Sequence, residues 1–210
     1  MKRTIAAALA VTLTAGVASA HKPDFGEGEF AGPATAYQIT DPAVSIVVYR
    51  NVTCERPELW MELQAEAGLP LFVQLLTPVI DRLENYRPNL AIVGPGLPRQ
   101  SIGIDLPSGS GAILFNTRNV QPEIFDERFT GTRDWVLVEE TVTLPQSGKY
   151  YVVAWDPNHM TGKLAVAVGT VEEFGLGDIF RFPGWRSNAR AFHELGRDAP
   201  ATPIVEQSCR

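Results

Sequence analysis

Three histidines are the residues of this chain best suited to chemistry, and His21 stands where a reactive site would be simplest to build. It follows Val17-Ala18-Ser19-Ala20, which sets small residues at the two positions a signal peptidase reads. A cut after Ala20 would leave His21 with a free α-amine beside its imidazole. With a second histidine these form a planar three-nitrogen arrangement, the histidine brace, which suits Cu(II). The partners on offer are His159 and His193. His159 adjoins Met160, a soft donor for Cu(I), and His193 lies in an aromatic tail. The competing reading is that a histidine follows the cleavage point by accident.

Other constellations carry less. Asp156, Asn158 and His159 crowd one short segment and offer oxygen and nitrogen to a cation, yet Asp, Asn and the intervening Pro157 also simply make turns. Glu139 and Glu140 are adjacent in an extended run, so they face opposite ways and cannot work as a paired-carboxylate site. Ser108 and Ser110 sit in a glycine-rich turn without the G-x-S-x-G frame of an exposed nucleophile. No phosphate loop, C-x-x-C or H-E-x-x-H is present. Trp60, Trp135, Trp155 and Trp185 would suit a sugar platform if they shared a face, whereas strand tryptophans are ordinarily core.

The elements that must position these residues begin with a leader. Lys2 and Arg3 precede an acid-free apolar stretch, Thr4 to Val17, too short to span a bilayer and closed by the cleavage signature. Residues 1–20 therefore read as a signal peptide with a periplasmic or secreted destination. The remaining 190 residues suffice for one domain with a sizeable core. They carry 16 basic against 24 acidic side chains, a net charge of −8. Such a balance, with no basic cluster, argues against nucleic acid and against anionic lipid as primary partners. No later run reaches the ~18 apolar residues of a membrane helix. Two cysteines, Cys54 and Cys209, in an oxidising compartment permit one disulfide; free or intermolecularly paired thiols are the alternative.

Residues 21–42 are rich in Gly, Pro and acids and predict an extended N-terminal arm. From 43 to 170 short apolar or alternating runs follow one another: 44–50, 58–65, 71–77, 89–93, 101–106, 112–116, 135–144, 149–155 and 163–168. A helical turn is expected over 79–84, and 117–134 reads as irregular. The last two runs, joined by Asp156–Gly162, predict a hairpin. The expected fold is all-β, an antiparallel β-sandwich or jelly roll with a short helical or irregular C-terminal tail. In that tail, 171–210, Phe174, Phe180, Phe182, Trp185 and Phe192 alternate with Arg181, Arg186, Arg190 and Arg197. Pro183-Gly184 is expected to break any helix there in two. The segment suits the covering of an open sheet face, or else peripheral contact with a membrane.

Leu144-Pro-Gln-Ser-Gly-Lys-Tyr-Tyr-Val-Val-Ala-Trp155 followed by Thr161-Gly-Lys-Leu-Ala-Val-Ala-Val-Gly169 resembles the last strands of bacterial pre-peptidase C-terminal-like sandwiches, with their P-x-x-G-x-Y-Y-V and G-x-Y-x-L-x-V strands. Asn89 to Pro98, the Asp41-Pro-Ala-Val-Ser start and Glu172-Glu-Phe are similar to exported proteins that share this sandwich. The resemblance implies a fold and a non-catalytic habit of binding carbohydrate or protein, with no catalytic residues. The Ca²⁺-binding acids of some members have no counterpart here, which places calcium behind copper as an expected cofactor. The reading that follows is an exported, non-catalytic protein with a binding or structural role toward an envelope protein or glycan. Behind it stand a copper protein built on His21, and a hydrolase whose site is assembled from distant residues.

Overall fold

The computed structural model describes residues 21–26, 28–175, 177–200 and 207–209. The expected leader, residues 1–20, lies outside them. Among the described residues, eleven strands form two sheets packed face to face. The six-stranded sheet runs β1 (Lys22–Asp24), β3 (Ile46–Val52), β11 (Gly162–Val168), β5 (Pro70–Pro78), β9 (Thr132–Thr143) and β8 (Glu123–Glu127). The five-stranded sheet runs β2 (Tyr37–Ile39), β4 (Glu58–Ala65), β10 (Gly148–Trp155), β6 (Asn89–Gly94) and β7 (Gly111–Phe115). The fold is all-β, but the sheets are mixed rather than purely antiparallel. Both parallel pairs come from the N-terminal arm, which lays β1 beside β3 and β2 beside β4.

Alternation in the strands decides what faces what. In β3, Val48 and Val52 point into the inter-sheet core while Val47 and Tyr49 lie on the outer face. The interior cluster takes Leu59, Met61 and Leu63 from β4, Leu71, Val73 and Leu75 from β5, and Leu164, Val166 and Val168 from β11. Burying a side chain of this kind is worth about 1.5–3 kcal/mol. Where β5 meets β9, the register shifts between Leu75 and Leu76. The extra residue lets neighbours Leu137 and Val138 both join the interior, and it turns the following stretch of β9.

Four expectations need correcting. The 149–155 and 163–168 runs do not form a hairpin: β10 pairs with β4 and β6, whereas β11 pairs with β3 and β5. Both strands are buried along nearly their whole length, so each takes a central place in a different sheet and the loop between them arches across the core. Residues 101–106 form no strand; Ile102, Ile104 and Leu106 instead cover the outer face of the five-stranded sheet, over Trp60, Tyr151 and Trp155. The irregular 117–134 stretch contains β8, whose charged sequence lacks the apolar alternation of a strand. Finally, Pro183-Gly184 breaks nothing. Helix α1 runs unbroken from Phe182 to Phe192 with Pro183 in its first turn, where no backbone N–H is missed.

Helix α1 covers the outer face of the six-stranded sheet. Phe182, Trp185, Ala189 and Phe192 recur at the helical spacing of one face, and Phe192 packs edge-on against Tyr49 of β3 at 4.9 Å between ring centres. Its C-terminal end is tied down. Lys163 Nζ donates to the Phe192 carbonyl at 2.7 Å and meets Glu194 Oε1 at 2.8 Å, while Arg82 grips the same carboxylate with both terminal nitrogens. Further along, Cys54 and Cys209 are joined in a disulfide with Cα atoms 5.2 Å apart, spanning 155 residues.

Candidate functional site

Between the sheet's outer face and α1 lies a cavity of about 160 Å³. Its floor follows from strand register. Phe125 and Glu127 of β8 pair with Asp134 and Thr132 of β9, so these side chains share one face. Val47 and Tyr49 of β3 and Leu76 of β5 share it too. Ala165 and Ala167 on β11, between β3 and β5, keep the floor low and leave room beneath the helix. The roof is aromatic. Phe129 comes from the β8–β9 turn, Phe174 from the segment leading to α1, and Phe182 and Trp185 from α1 itself. Phe182 is the hub, with ring centres of Phe129, Trp185 and Phe174 at 5.2, 5.7 and 6.0 Å. Phe129 and Phe174 remain 42% and 41% exposed, so the rim presents apolar surface that a bound molecule would cover.

A few polar groups face this aromatic shell. Glu127 accepts from Phe129 N–H at 2.9 Å, from Thr130 N–H at 2.7 Å and from the Thr130 hydroxyl at 2.6 Å, holding the β8–β9 turn closed. Asp134 is buried and its Oδ1 lies 2.9 Å from His193 Nε2. The other ring nitrogen, Nδ1, is 2.7 Å from the Ala189 carbonyl. That carbonyl can only accept, so Nδ1 carries a hydrogen, and the pair then needs a second proton along the Nε2···Oδ1 contact. No hydrogen bond reaches Asp134 Oδ2 among the described residues. His21, just before β1, forms part of the wall, with Nδ1 2.5 Å from Ser45 Oγ. Burial holds its imidazole below the ordinary value, against the opposing pull of Glu172, Glu127 and Glu139. Tyr49 shows the same surroundings from the other side: burial, then Asp134 and Glu127, push its phenol well above the ordinary range. No lysine or arginine lines the cavity among the described residues.

The structure does not bring the three histidines together. His21 adjoins the Ile46 end of β3, while His159 precedes the strand that meets β3 at Val52. Six strand steps separate those ends, about 20 Å. His193 sits behind the Asp134 floor with both ring nitrogens engaged. Among the described residues no group of three or more His, Cys, Asp or Glu is placed to hold a metal. In the arch after β10, Asp156 Oδ1 accepts from the backbone N–H of Asn158 and of Met160 at 2.9 and 3.0 Å, which shapes a turn. His159 is exposed there in a left-handed backbone conformation, φ 56°, and its carbonyl accepts from Cys209 N–H.

Ser108 lies exposed in a turn. Ser45, the serine nearest a histidine by hydrogen bonding, is buried and does not line the cavity. The tryptophans do not all share one face: Trp60 and Trp155 lie together under the 102–106 cover, whereas Trp185 roofs the cavity. Sequence reasoning missed Tyr49, Glu127 and Asp134. Asp134 falls just before the 135–144 run, in the stretch read as irregular, and only the strand's start at Thr132 sets it at the parity of Val136.

Fold and site together define an all-β, disulfide-bridged sandwich carrying a roofed aromatic cavity. No family model matches the chain, and no curated protein matches it. Among solved structures, the chain is similar to Aeromonas hydrophila PliG, a periplasmic lysozyme inhibitor of g-type lysozyme. The identity is 14%, covering 71% of this chain and 98% of that one, with a TM-score of 0.35.

Proposed function

We propose that this is an exported, non-catalytic binding protein whose cavity beneath α1 takes up a small, largely apolar molecule. The observation that carries this is the cavity itself. It is preformed, walled by six aromatic side chains, and close to the ~150 Å³ of an apolar cavity that takes up benzene. The polar groups at its wall are committed to structure. Glu127 closes a turn and Asp134 braces His193, which supports binding over acid–base turnover. Export to the periplasm or beyond is supported by the Cys54–Cys209 disulfide, a bond that persists in oxidising compartments, and by the leader sequence.

The test is titration of the exported protein with benzene and similar small aromatic compounds, read by calorimetry and by the indole N–H resonance of Trp185. Saturable shifts are expected, and Leu76→Trp, which fills the floor, should abolish them while the circular dichroism is kept. Absence of any shift across the panel would overturn the reading.

A further inference from the structure

We propose that the cavity selects a small organic ammonium ion, one whose positive charge is wrapped in alkyl groups. The inference rests on the cavity being a binding site, and it names the class of ligand. Three observations converge on it. First, Tyr49, Phe125, Phe129, Phe174, Phe182 and Trp185 surround the space, and the faces of such rings attract cations. Second, the ionisable wall groups are acidic or neutral. Asp134 shares a proton with His193, leaving Glu127 as the wall carboxylate, and among the described residues no lysine or arginine lines the cavity beside it.

Third, two groups on opposite sides of the wall, His21 and Tyr49, both sense the Glu127 carboxylate. At His21 the charges of Glu172, Glu127 and Glu139 all favour the protonated ring, although burial outweighs them. At Tyr49, burial comes first and the Glu127 carboxylate adds to it in disfavouring the phenolate. Three donors from the turn already meet Glu127, so a neutral hydrocarbon would add nothing toward its charge, whereas an ammonium would offset it. A bare metal ion would find aromatic carbon where it needs oxygen. The protein already makes contacts of this kind elsewhere: Lys163 Nζ lies 5.1 Å from the Phe192 ring centre, and Lys22 Nζ lies 5.9 Å from that of Phe174 at the rim. Lys22 is drawn outward to Asp178 at 3.2 Å, leaving the cavity to another cation.

The experiment compares choline with 3,3-dimethylbutan-1-ol, the same shape with carbon in place of charged nitrogen, by calorimetry and Trp185 resonance on the exported protein. Benzene is the control for the cavity alone. Choline is expected to bind about tenfold more tightly than the alcohol, the scale of a desolvated cation–π contact. Glu127→Gln keeps one of the two carboxylate oxygens that accept in the β8–β9 turn, and it should erase most of the choline-to-alcohol ratio even where it weakens both ligands. Equal binding of choline and the alcohol, or tighter binding of the alcohol, overturns the ligand class and leaves the binding site standing. Failure of choline, alcohol and benzene alike overturns the site and the ligand class together.

Discussion

Lys163 Nζ stands 2.8 Å from Glu194 Oε1, and the ammonium is almost wholly buried, at 3% side-chain exposure, between β11 and the end of α1. Burial lowers the lysine's affinity for its proton, and Glu194 opposes that. The carboxylate in turn is disfavoured by burial yet held below its usual range by Arg82 and Lys163. The helix that roofs the cavity is therefore fastened by a charge that cannot reach water. Glu194→Ala should cost about 3–5 kcal/mol in urea unfolding, because it strands a buried ammonium. Lys163→Met combined with Glu194→Leu should recover most of the loss. A double-mutant coupling below ~0.5 kcal/mol would show that the pair does not fasten the helix.

The disulfide closes a long loop, so its loss acts chiefly through the unfolded chain. Cys54→Ser with Cys209→Ser should lower stability by about 2–5 kcal/mol, with the native sheet content kept. An unchanged denaturation midpoint would mean that residues 207–209 are held by their backbone bonds to Thr161 and His159 alone.

His21 should give the protein a pH dependence of definite sign. Burial holds its folded value below 6.5, so the unfolded chain takes up a proton first as pH falls. This contribution to stability is complete above pH ~6.5 and is lost as pH drops through that value toward the folded one. Melting temperature should therefore fall between pH 7 and 5, more steeply in the wild type than in His21→Asn. The slope from this group cannot exceed about 1.4 kcal/mol per pH unit. Parallel pH profiles for the two proteins would contradict the placement of His21 in a buried wall.

Gly94, the last residue of β6, lies against the ring of Tyr150, and a Cβ there would penetrate it. The ring cannot retreat, since its hydroxyl is 2.8 Å from both the Pro95 and Gln146 carbonyls. Gly94→Ala should destabilise by about 1–3 kcal/mol, the range of overpacked cores. Tyr150→Leu in the same background should return part of it. Stability unchanged in Gly94→Ala would show that β6 and β10 can separate at this end.

Much of the fold was legible, because central strands announce themselves. The run 58–65 coincides with β4, and 71–77 and 89–93 fall within a residue of β5 and β6. These strands are buried on one or both faces, and burial leaves an apolar signature. Pairing was not legible. Nothing in Tyr150 to Val168 distinguishes two strands of one sheet from two strands facing each other across a core, since both demand the same residues. β8 was hidden because an edge strand can be built of Glu, Ile, Phe, Asp and Glu when its neighbour supplies the register. The site was half visible. The aromatic tail and His21 stood out, but the cavity exists only where β3, β8, β9 and α1 converge, and that convergence depends on strand order. The histidine count drew attention to His159 and His193, whose surroundings in the structure are a turn and a carboxylate.

The N-terminal arm has a bearing on how copies of this chain meet one another. β1 and β2 occupy the open flanks of β3 and β4, one in each sheet and on the same side of the sandwich. Each flank would otherwise offer unpaired N–H and C=O groups to a strand from another molecule. Each short strand pairs with three residues of the flank it lies against. A chain that lost residues 22–39 would expose two templates at once. It would keep its core and lose its solitude, associating edge to edge in proportion to concentration.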